Sequence, residues 1–571
     1  MMQTSNRPLS HPPFALMTER LGPLPLINHF LERMDLLSLL EQYVPTSDPR
    51  FTLSHAQALG VLLRSIVVER EPLYRQQETV HEFAPQLYGL SSEQMQHLGD
   101  DRVGRALDRL FDADRAALLT AVVVTVGRRF GVQFDELHND STSVSVCGQY
   151  REAEQPIRGR QPALLTYGHS KDHRPDLKQL VLILTTSQDG GVPVQFRVAD
   201  GNTNDSVTHI ETWNALRAVT GRTDFLYVAD SKLCSFDNMD QIHRAGGRFV
   251  TVMPRTRRED KDFRKWIQAH APPWQLVWDR PHPRRLDGPA DRWYVYLSEL
   301  PSAEAWPVVW VWSTLLTRHH EEGRQRRINA AVEALNSLRE RLAGARARLR
   351  GARQIDQQVA LILNKHQVSR YVRVQRTVRE THEFKQARRG RPGPDTAYRK
   401  ITHQSYDIEW KIDQKAVDFD HSSDGIFPLL TNDRNLSPAE VLQAYKGQPT
   451  IEKRFEQLKT VHEIAPVFLK NPGRIEAFFT MYFLALLVQS LIERHLRMAM
   501  QREQITHLPL YAEQRQCKRP TTEQILRLFG LLERHTLQRG SKTAQVFNPD
   551  LTPLQRQVLG LLDMPPSAFV L

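Results

Sequence analysis

The sequence predicts an α/β fold in which a mixed sheet is interrupted by a large β-plus-helical insertion and flanked by helical regions at both ends. Two observations lead to this prediction. Between residues 131 and 253, three strand-like segments follow one another, and helical and strand-like segments then alternate. Between residues 254 and 421, tryptophan-rich strand-like segments are followed by a basic helical run. The chain is therefore expected to contain five regions.

Residues 1–130 are predicted to form a helical domain. Apolar residues recur at helical spacing in Leu53–Val68 and again in Val103–Val124. Asp100 and Asp101 stand just before the second run, where a carboxylate favours the start of a helix. A partly basic helical unit suits DNA binding, and a plain packing domain explains the pattern equally well.

Residues 131–253 are predicted to form the first part of the sheet domain, with helices around Val207–Val219 and Met239–Ala245. The predicted strands are Val132–His138, Lys178–Thr186, Val192–Val198, Phe225–Ala229 and Arg248–Met253. Asp140 is expected at the end of the first strand and Asp230 at the end of the fourth. Carboxylates on neighbouring strand ends can bridge divalent cations, so these two acids are candidates for chemistry.

Residues 254–421 are predicted to form the insertion. Seven of the nine tryptophans lie between Trp266 and Trp312. A heptad pattern follows, formed by Ile328, Leu335, Leu342 and Leu349 with Ala331, Leu338, Ala345 and Ala352 three positions later. It indicates either a helical hairpin arm within the insertion, which we favour, or a dimerising coiled coil. Tyr406–Trp410 and Ala416–Phe419 return to the alternation of strands.

Residues 422–500 are predicted to complete the sheet domain, and residues 501–571 to form a C-terminal helical region. A strand-like run begins at Ile426, and helical segments follow from Ser437. The most apolar stretch, Phe478–Leu491, is too short to span a bilayer and is predicted to be a buried helix. No membrane partner is expected.

Composition favours a cytoplasmic protein with a polyanionic partner. The net charge is +11 and the isoelectric point about 9.5, and nucleic acid is the commonest partner for an excess of this sign. The three cysteines are far apart, so neither a disulfide framework nor a cysteine zinc site is predicted. The 22 histidines show no metal-ligand spacing, which argues against a zinc enzyme.

The segment from Tyr445 to Lys459 is the most specific in the chain. Pro449 suits the first position of a helix, because its missing N–H costs nothing there. Glu452 and Lys459 are seven residues apart and so fall on nearly the same face. Ile451, Phe455 and Leu458 would form its buried stripe. Such a helix can supply a metal ligand and a phosphate-binding cation together.

These positions resemble the Y-x2-R-x3-E-x6-K signature of DDE-class insertion-sequence transposases of bacteria. Tyr445, Glu452 and Lys459 stand at the matching places, and Gln448 replaces the arginine. The segments 101–107, 167–179 and 201–205 are similar to transposases of the same group. The resemblance implies an RNase H-like catalytic domain interrupted by the insertion, with Asp140, Asp230 and Glu452 as its metal-binding catalytic acids.

The chemistry implied by the resemblance is metal-dependent DNA cleavage and strand transfer. Two Mg²⁺ ions about 3.5–4 Å apart, with Mn²⁺ as a possible substitute, would activate the nucleophile and stabilise the leaving oxygen. Water would cut first, and the freed 3′-OH would then attack target DNA. The expected partners are double-stranded DNA, both the terminal inverted repeats of the element and the target, and a second copy of the chain on paired ends.

Several side chains are expected to hold DNA. Gln448 keeps a hydrogen-bond donor but lacks the charge and bidentate geometry of arginine, for which Lys453 or Arg454 would compensate. The Arg388–Gly393 segment resembles Arg-Gly-Arg-Pro segments that reach into minor grooves, although a flexible loop explains it too. The predicted DNA-binding residues are Tyr445, Gln448, Lys459, Lys453, Arg454, Lys171, Arg174, Arg389 and Arg391.

Two other functions are compatible with the same sequence. A nuclease of the same fold would use the same acids for hydrolysis without strand transfer. A catalytically idle DNA-binding derivative is the second alternative, and the presence of all three acids argues against it.

Overall fold

The computed structural model describes residues 14–48, 50–150, 155–281, 288–344, 351–464, 467, 469–540 and 542–570. The chain divides into two compact units. The first comprises Met1–Thr251 and Gln443–Leu571, and the second comprises Val252–Leu442. The insertion predicted at 254–421 lies within the second unit, which also takes in residues 422–442.

The N-terminal part of the first unit is helical, as predicted, apart from one short strand. Its elements are β1 (Ala15–Arg20), α1 (Leu24–Arg33), α2 (Leu36–Tyr43), α3 (His55–Val68), α4 (Gln76–Glu82), α5 (Ser92–Met95), α6 (Asp100–Asp112) and α7 (Arg115–Phe130). Helix α3 begins after Ser54, whose side chain accepts a hydrogen bond from the backbone N–H of Gln57 while the Gln57 side chain bonds back. Helix α6 begins at Asp100, so Asp100 and Asp101 lie in its first turn rather than before it, and Gly99 is the N-cap residue.

The sheet of the first unit contains all five strands predicted between residues 131 and 253. Its elements are β2 (Glu136–Val146), β3 (Lys178–Ser187), β4 (Pro193–Ala199), α8 (His209–Thr220), β5 (Leu226–Ala229), α9 (Phe236–Arg244) and β6 (Arg248–Val252). The strand order is β4-β3-β2-β5-β6. The pairs β2–β3 and β3–β4 are antiparallel, and β2–β5 and β5–β6 are parallel.

The second unit begins with α10 (Arg258–Trp266) and combines an antiparallel sheet with helices and a long β-hairpin. Its further elements are β7 (Gln275–Arg280), β8 (Asp291–Leu297), β9 (Val308–Ser313), α11 (Thr314–Ala343), α12 (Ala352–Lys365), β10 (Val372–Gln386), β11 (Tyr398–Ile412), α13 (Gln414–His421), β12 (Ile426–Thr431) and the first five residues of α14 (Pro438–Tyr445). Four of the strands are ordered β12-β9-β8-β7. The expected strand at Ala416–Phe419 is wrong, because these residues lie in helix α13.

The heptad stripe of α11 is covered within the second unit. Ile328, Leu335 and Leu338 are fully or almost fully buried, and they form one core with α12 and the β10–β11 hairpin. Ala345 and Leu349, which the heptad pattern also includes, lie outside the described residues. This packing agrees with the helical hairpin rather than with a coiled coil between two chains.

The C-terminal part of the first unit is less helical than expected. It contains α15 (Pro449–Glu456), a π-helical turn (Gln457–Val461), α16 (Pro472–Arg502), α17 (Thr522–Phe529), β13 (Glu533–Arg539), β14 (Lys542–Phe547) and α18 (Pro553–Leu561). Strands β1, β13 and β14 form a small antiparallel sheet in which Ala15 pairs with Gln538. The helical prediction is therefore wrong for residues 533–547, because these strands depend on a partner at the other end of the chain.

Helix α16 is the core helix of the first unit. It is 31 residues long and apolar enough by composition to cross a bilayer, so it exceeds the apolar stretch identified in the sequence. However, 94% of its most apolar window is buried inside the protein. The predicted buried helix is therefore present, and its apolar surface packs against protein.

Candidate active site

Asp140 and Asp230 lie side by side where the parallel pairing of two strands ends. The last paired residues of β2 and β5 are Asn139 and Ala229. The next residue of each chain segment is the aspartate, so the register places the two carboxylates next to each other. Strand β2 continues beyond this point, with Asp140 opposite Leu184 of β3. The expectation that Asp140 ends its strand is therefore wrong, because pairing with β3 extends β2 to Val146.

Hydrogen bonds fix the segment that carries Asp230. The hydroxyl of Thr251, on β6, donates to the backbone carbonyl of Asp230 at 2.6 Å. The backbone N–H of Lys232 donates to the Asp230 carboxylate at 3.0 Å. The carboxylate is therefore held at the end of β5 by its neighbouring strand and by its own turn.

A third carboxylate, Asp205, joins this pair. Its Oδ1 accepts a hydrogen bond from the Ser141 hydroxyl at 2.6 Å. The Lys171 ammonium lies 3.7 Å from a carboxylate oxygen of Asp140 and 3.7 Å from one of Asp205. Lys171 also donates to the carbonyl and hydroxyl oxygens of Ser141. Asp205 was not among the predicted site residues, although it ends the 201–205 segment whose resemblance was noted.

Two glycines explain how Lys171 and Asp205 reach the strand that carries Asp140. A Cβ on Gly168 would lie 2.0 Å from the carbonyl oxygen of Gly201, and a Cβ on Gly201 would lie 2.1 Å from the carbonyl oxygen of Gln179. Only glycine permits this close backbone approach. The Gln179 side chain completes it by donating to the Gly201 carbonyl at 2.7 Å. The 167–179 and 201–205 segments are thus packed together against β3.

Helix α15 is attached directly to the strand that carries Asp140. The Gln448 side chain, before Pro449, is buried and donates from Nε2 to the carbonyl of Asn139 at 3.0 Å. Its Oε1 lies 3.2 Å from Nδ1 of His138. Glu452 follows one turn later and is exposed. Gln448 therefore holds the start of α15 next to the residue that precedes Asp140, and its amide is not directed to solvent.

Known protein families match most of the chain. The family described as a transposase DDE domain matches residues 136–488, which is more than half of the chain and includes Asp140, Asp230 and Glu452. The chain belongs to the DDE transposases. A domain of unknown function, DUF4277, matches residues 16–124 of this transposase, which cover most of its N-terminal helices.

Other comparisons add little. No protein of curated function is significantly similar in sequence to this DDE transposase. Among solved structures, it is similar to the cryo-EM structure of a piggyBac transposase synaptic complex with hairpin DNA. The two chains are 8% identical, the TM-score is 0.36, and the match covers 81% of this chain and 74% of that one.

The electrostatics of the aspartates fit a divalent cation. The pKa of Asp140 is raised to about 6, chiefly by burial; Lys171 and the backbone N–H of Ser141 oppose the rise, and the carboxylates of Asp230 and Asp205 add to it. Burial also raises the pKa of Asp230, to which the Asp205 carboxylate adds. Adjacent buried carboxylates are unfavourable when both are ionised, and a bound hard cation stabilises their charged forms. Carboxylate oxygens are also the ligands that Mg²⁺ prefers. The donor set of the transposase therefore suits the metal chemistry of its family.

Glu452 is connected to the aspartates less closely. Burial raises the pKa of Tyr445, and the charges of Glu452 and Asp230 both add to the rise. The tyrosine thus lies within electrostatic reach of both acids. Within the described residues, no three His, Cys, Asp or Glu side chains are arranged to hold a metal ion as they stand.

Lys453, Arg454 and Lys459, on and beside α15, are predicted to contact DNA. Of these three, only Lys453 is exposed and forms no ion pair with the residues that the structure describes. Arg454 is buried, forms an ion pair with Glu493 at 2.8 Å and donates to the carbonyls of Gly190 and Gly191. Lys459 pairs with Asp172 across the fold. The prediction that Arg454 contacts DNA conflicts with this burial, because its guanidinium is fully used within the protein.

The remaining predicted DNA contacts lie in three places. Lys171 is beside the aspartates, as described above. Arg174 is exposed and paired with Asp176 at 2.7 Å in the same loop. Arg389 and Arg391 are exposed at the tip of the β10–β11 hairpin in the second unit.

Proposed function

We propose that this protein is a DNA transposase that cuts at the ends of its mobile element and joins the resulting 3′-OH ends to target DNA. The observation that carries this proposal is the adjacent placement of Asp140 and Asp230 by strand register, within a DDE domain. A nuclease without strand transfer would need the same acids, so the two functions are separated by the joining step.

Asp140, Asp230 and Glu452 are the proposed ligands of Mg²⁺, for which Mn²⁺ is the expected substitute. When bound, the ions supply an activated oxygen nucleophile and stabilise the leaving oxygen of the phosphodiester. Asp205 holds Ser141 and Lys171 beside Asp140. Lys171 partly neutralises this acidic cluster and, with Lys453, Lys459 and Tyr445, is a proposed contact to DNA phosphates.

We also propose that the sheet of the first unit is RNase H-like. Support comes from its order, β4-β3-β2-β5-β6, in which an antiparallel three-stranded meander is extended by two parallel strands on the side of β2. The first two acids lie on the central strand and its parallel neighbour. The third lies on a helix that packs against the central strand through Gln448.

Strand transfer is the decisive test. Purified protein is incubated with Mg²⁺, a duplex that has a pre-cut 3′-OH end of the element, and a supercoiled plasmid. We expect a joined product, because the acids that position a water for cutting can position the 3′-OH instead. A protein that cuts uncut ends but never joins pre-cut ones is a nuclease, and a protein that does neither is an idle derivative. A homodimer on paired ends, which we propose because both ends must be joined together, would give products with two ends in one target.

The β10–β11 hairpin is a proposed DNA-binding arm. Its strands are 15 residues each, about 50 Å at about 3.3 Å per residue, and most of the distal side chains are exposed. The base of the hairpin packs against α11 and α12, so the ribbon is supported at one end and its exposed distal part is open to a partner surface. Arg389 and Arg391 at its tip suit a minor groove.

Replacing both tip arginines by Ala is expected to weaken duplex binding by roughly tenfold, because both cations are exposed and would be lost from the DNA backbone or groove. The measurement is a gel-shift titration, repeated with netropsin as a minor-groove competitor. The matched control is the double replacement of Arg373 and Lys411, which lie opposite each other at the base of the same hairpin. Equal losses in both variants would contradict a role for the tip.

A further inference from the structure

The second unit contains a basic cleft that none of the predicted site residues lines. Its volume is about 970 Å³. Seven arginine and lysine side chains line it, against three aspartates, and three histidines add further nitrogen donors. With the histidines neutral, the lining therefore carries a surplus of four positive charges.

Each of the three aspartates forms an ion pair with one arginine. These pairs are Asp260–Arg264 at 2.8 Å, Asp424–Arg324 with its Nη1 contact at 3.0 Å, and Asp420–Arg370 at 3.1 Å. The aspartates thus hold the wall of the cleft together and neutralise three cations. Arg324 and Asp424 are both buried, so this pair anchors the N-terminal half of α11 rather than serving a ligand.

Four cations remain, and they come from different elements of the wall. Arg255 precedes α10, Lys261 lies on α10, and Arg326 and Arg327 lie on α11. All four are exposed, and none forms an ion pair with any residue that the structure describes. Partial burial lowers the pKa of Arg255, the charge of Arg264 lowers it further, and the three aspartates of the cleft oppose both.

We infer that this cleft binds the phosphates of a DNA duplex. The inference rests on the proposed function and adds a second place where the protein holds DNA. An enclosed small anion is usually bound by buried, converging donors, whereas here the unpaired cations are exposed along the cleft. Exposed Arg and Lys side chains on separate elements suit a phosphodiester backbone that runs past them, because each can neutralise one phosphate.

The test compares two triple variants that remove the same charge. In the cleft variant, Lys261, Arg326 and Arg327 become Gln. In the control variant, Lys265, Arg318 and Arg341 become Gln, since these exposed residues lie on the same two helices outside the cleft. Binding of full-length protein to a 40-base-pair duplex is measured by fluorescence anisotropy between about 0.05 and 0.3 M salt.

The cleft variant is expected to bind at least about tenfold more weakly at about 0.1 M salt, and its plot of log affinity against log salt should be shallower by roughly 2–3. The control variant should change affinity by less than about threefold. Equal losses in the two variants would overturn the inference. The inference would also be overturned by a second result. In that result, tripolyphosphate added without DNA raises the Tm of the parent protein but not that of the cleft variant, while both proteins bind the duplex equally well.

Joining of pre-cut ends by the parent protein is scored separately. If the parent protein neither cuts nor joins ends, and duplex binding is lost only in the cleft variant, the proposed function is refuted and DNA binding by the cleft is supported. A protein that joins ends, with both triple variants binding duplex like the parent, refutes the cleft and leaves the proposed function intact.

Discussion

Replacing Asp140 by Asn is expected to lower the rate of DNA cleavage by at least about a thousandfold, and Asp230→Asn and Glu452→Gln are expected to do the same. Each amide keeps the size of the acid but loses the negative charge that a divalent cation requires of its ligand. The measurement is cleavage of a labelled duplex that carries the terminal inverted repeat, at saturating Mg²⁺. Near-normal Mg²⁺-dependent cleavage by any of the three variants would remove that acid from the proposed site.

The matched control is Asp176→Asn, which changes an exposed aspartate that pairs with Arg174 in the same loop. It should cut at nearly the parental rate. Duplex binding should survive in all variants, because the acids are proposed to hold metal rather than phosphate. A variant that fails to bind DNA has lost more than its metal ligand.

Stability gives a second readout for Asp140 that does not depend on activity. The pKa of this carboxyl is raised from 3.8 to about 6, chiefly by burial, so its ionised form disfavours the folded state. The penalty is absent below about pH 4, grows between about pH 4 and pH 6, and is complete above about pH 6. Asp140→Asn removes it and should raise the free energy of unfolding of the metal-free protein by roughly 1–3 kcal/mol at pH 7.5, with little gain at pH 4.

Much of the fold could be predicted from local patterns. Strands β3 and β5 are apolar runs of strand length, and Pro449 marks the start of α15, so each was evident from the sequence. Strand β2 was predicted too short, because its second half is polar. Asn139 and Thr142 are buried in mid-strand, where Thr185 donates to the Asn139 side chain at 2.9 Å. Pairing with β3 overrides the turn tendency of these residues.

Long-range partners limited the prediction of the site. Asp205 follows no strand, and its place beside Asp140 depends on the backbone contact between Gly168 and Gly201. The sequence predicts a weakened DNA contact for Gln448, whereas its side-chain amide donates to the backbone carbonyl of Asn139. Sequence spacing indicates which residue types are present, but whether a polar side chain faces DNA or the protein depends on packing that no local pattern contains.

Replacing Arg454 by Met is expected to lower the free energy of unfolding by about 3–5 kcal/mol, the largest stability effect that we predict. Arg454 and Glu493 are both buried and lie 2.8 Å apart. Without the guanidinium, the one ion pair left to the Glu493 carboxylate among the described residues is that with Arg497 at 3.5 Å. The carbonyls of Gly190 and Gly191 also lose their donor, and these two residues form the turn between β3 and β4. Urea unfolding followed by tryptophan fluorescence measures the loss.

Lys453→Met is the control, because it removes a neighbouring cation that is exposed on the same helix; it should change the free energy of unfolding by less than about 0.5 kcal/mol. The two variants also separate the two roles considered for this helix. If Arg454 contacts DNA, its replacement should weaken duplex binding while the protein unfolds like the parent. If it joins the helix to the β3–β4 turn, the variant should unfold at lower urea, and Lys453→Met alone should weaken binding at unchanged stability.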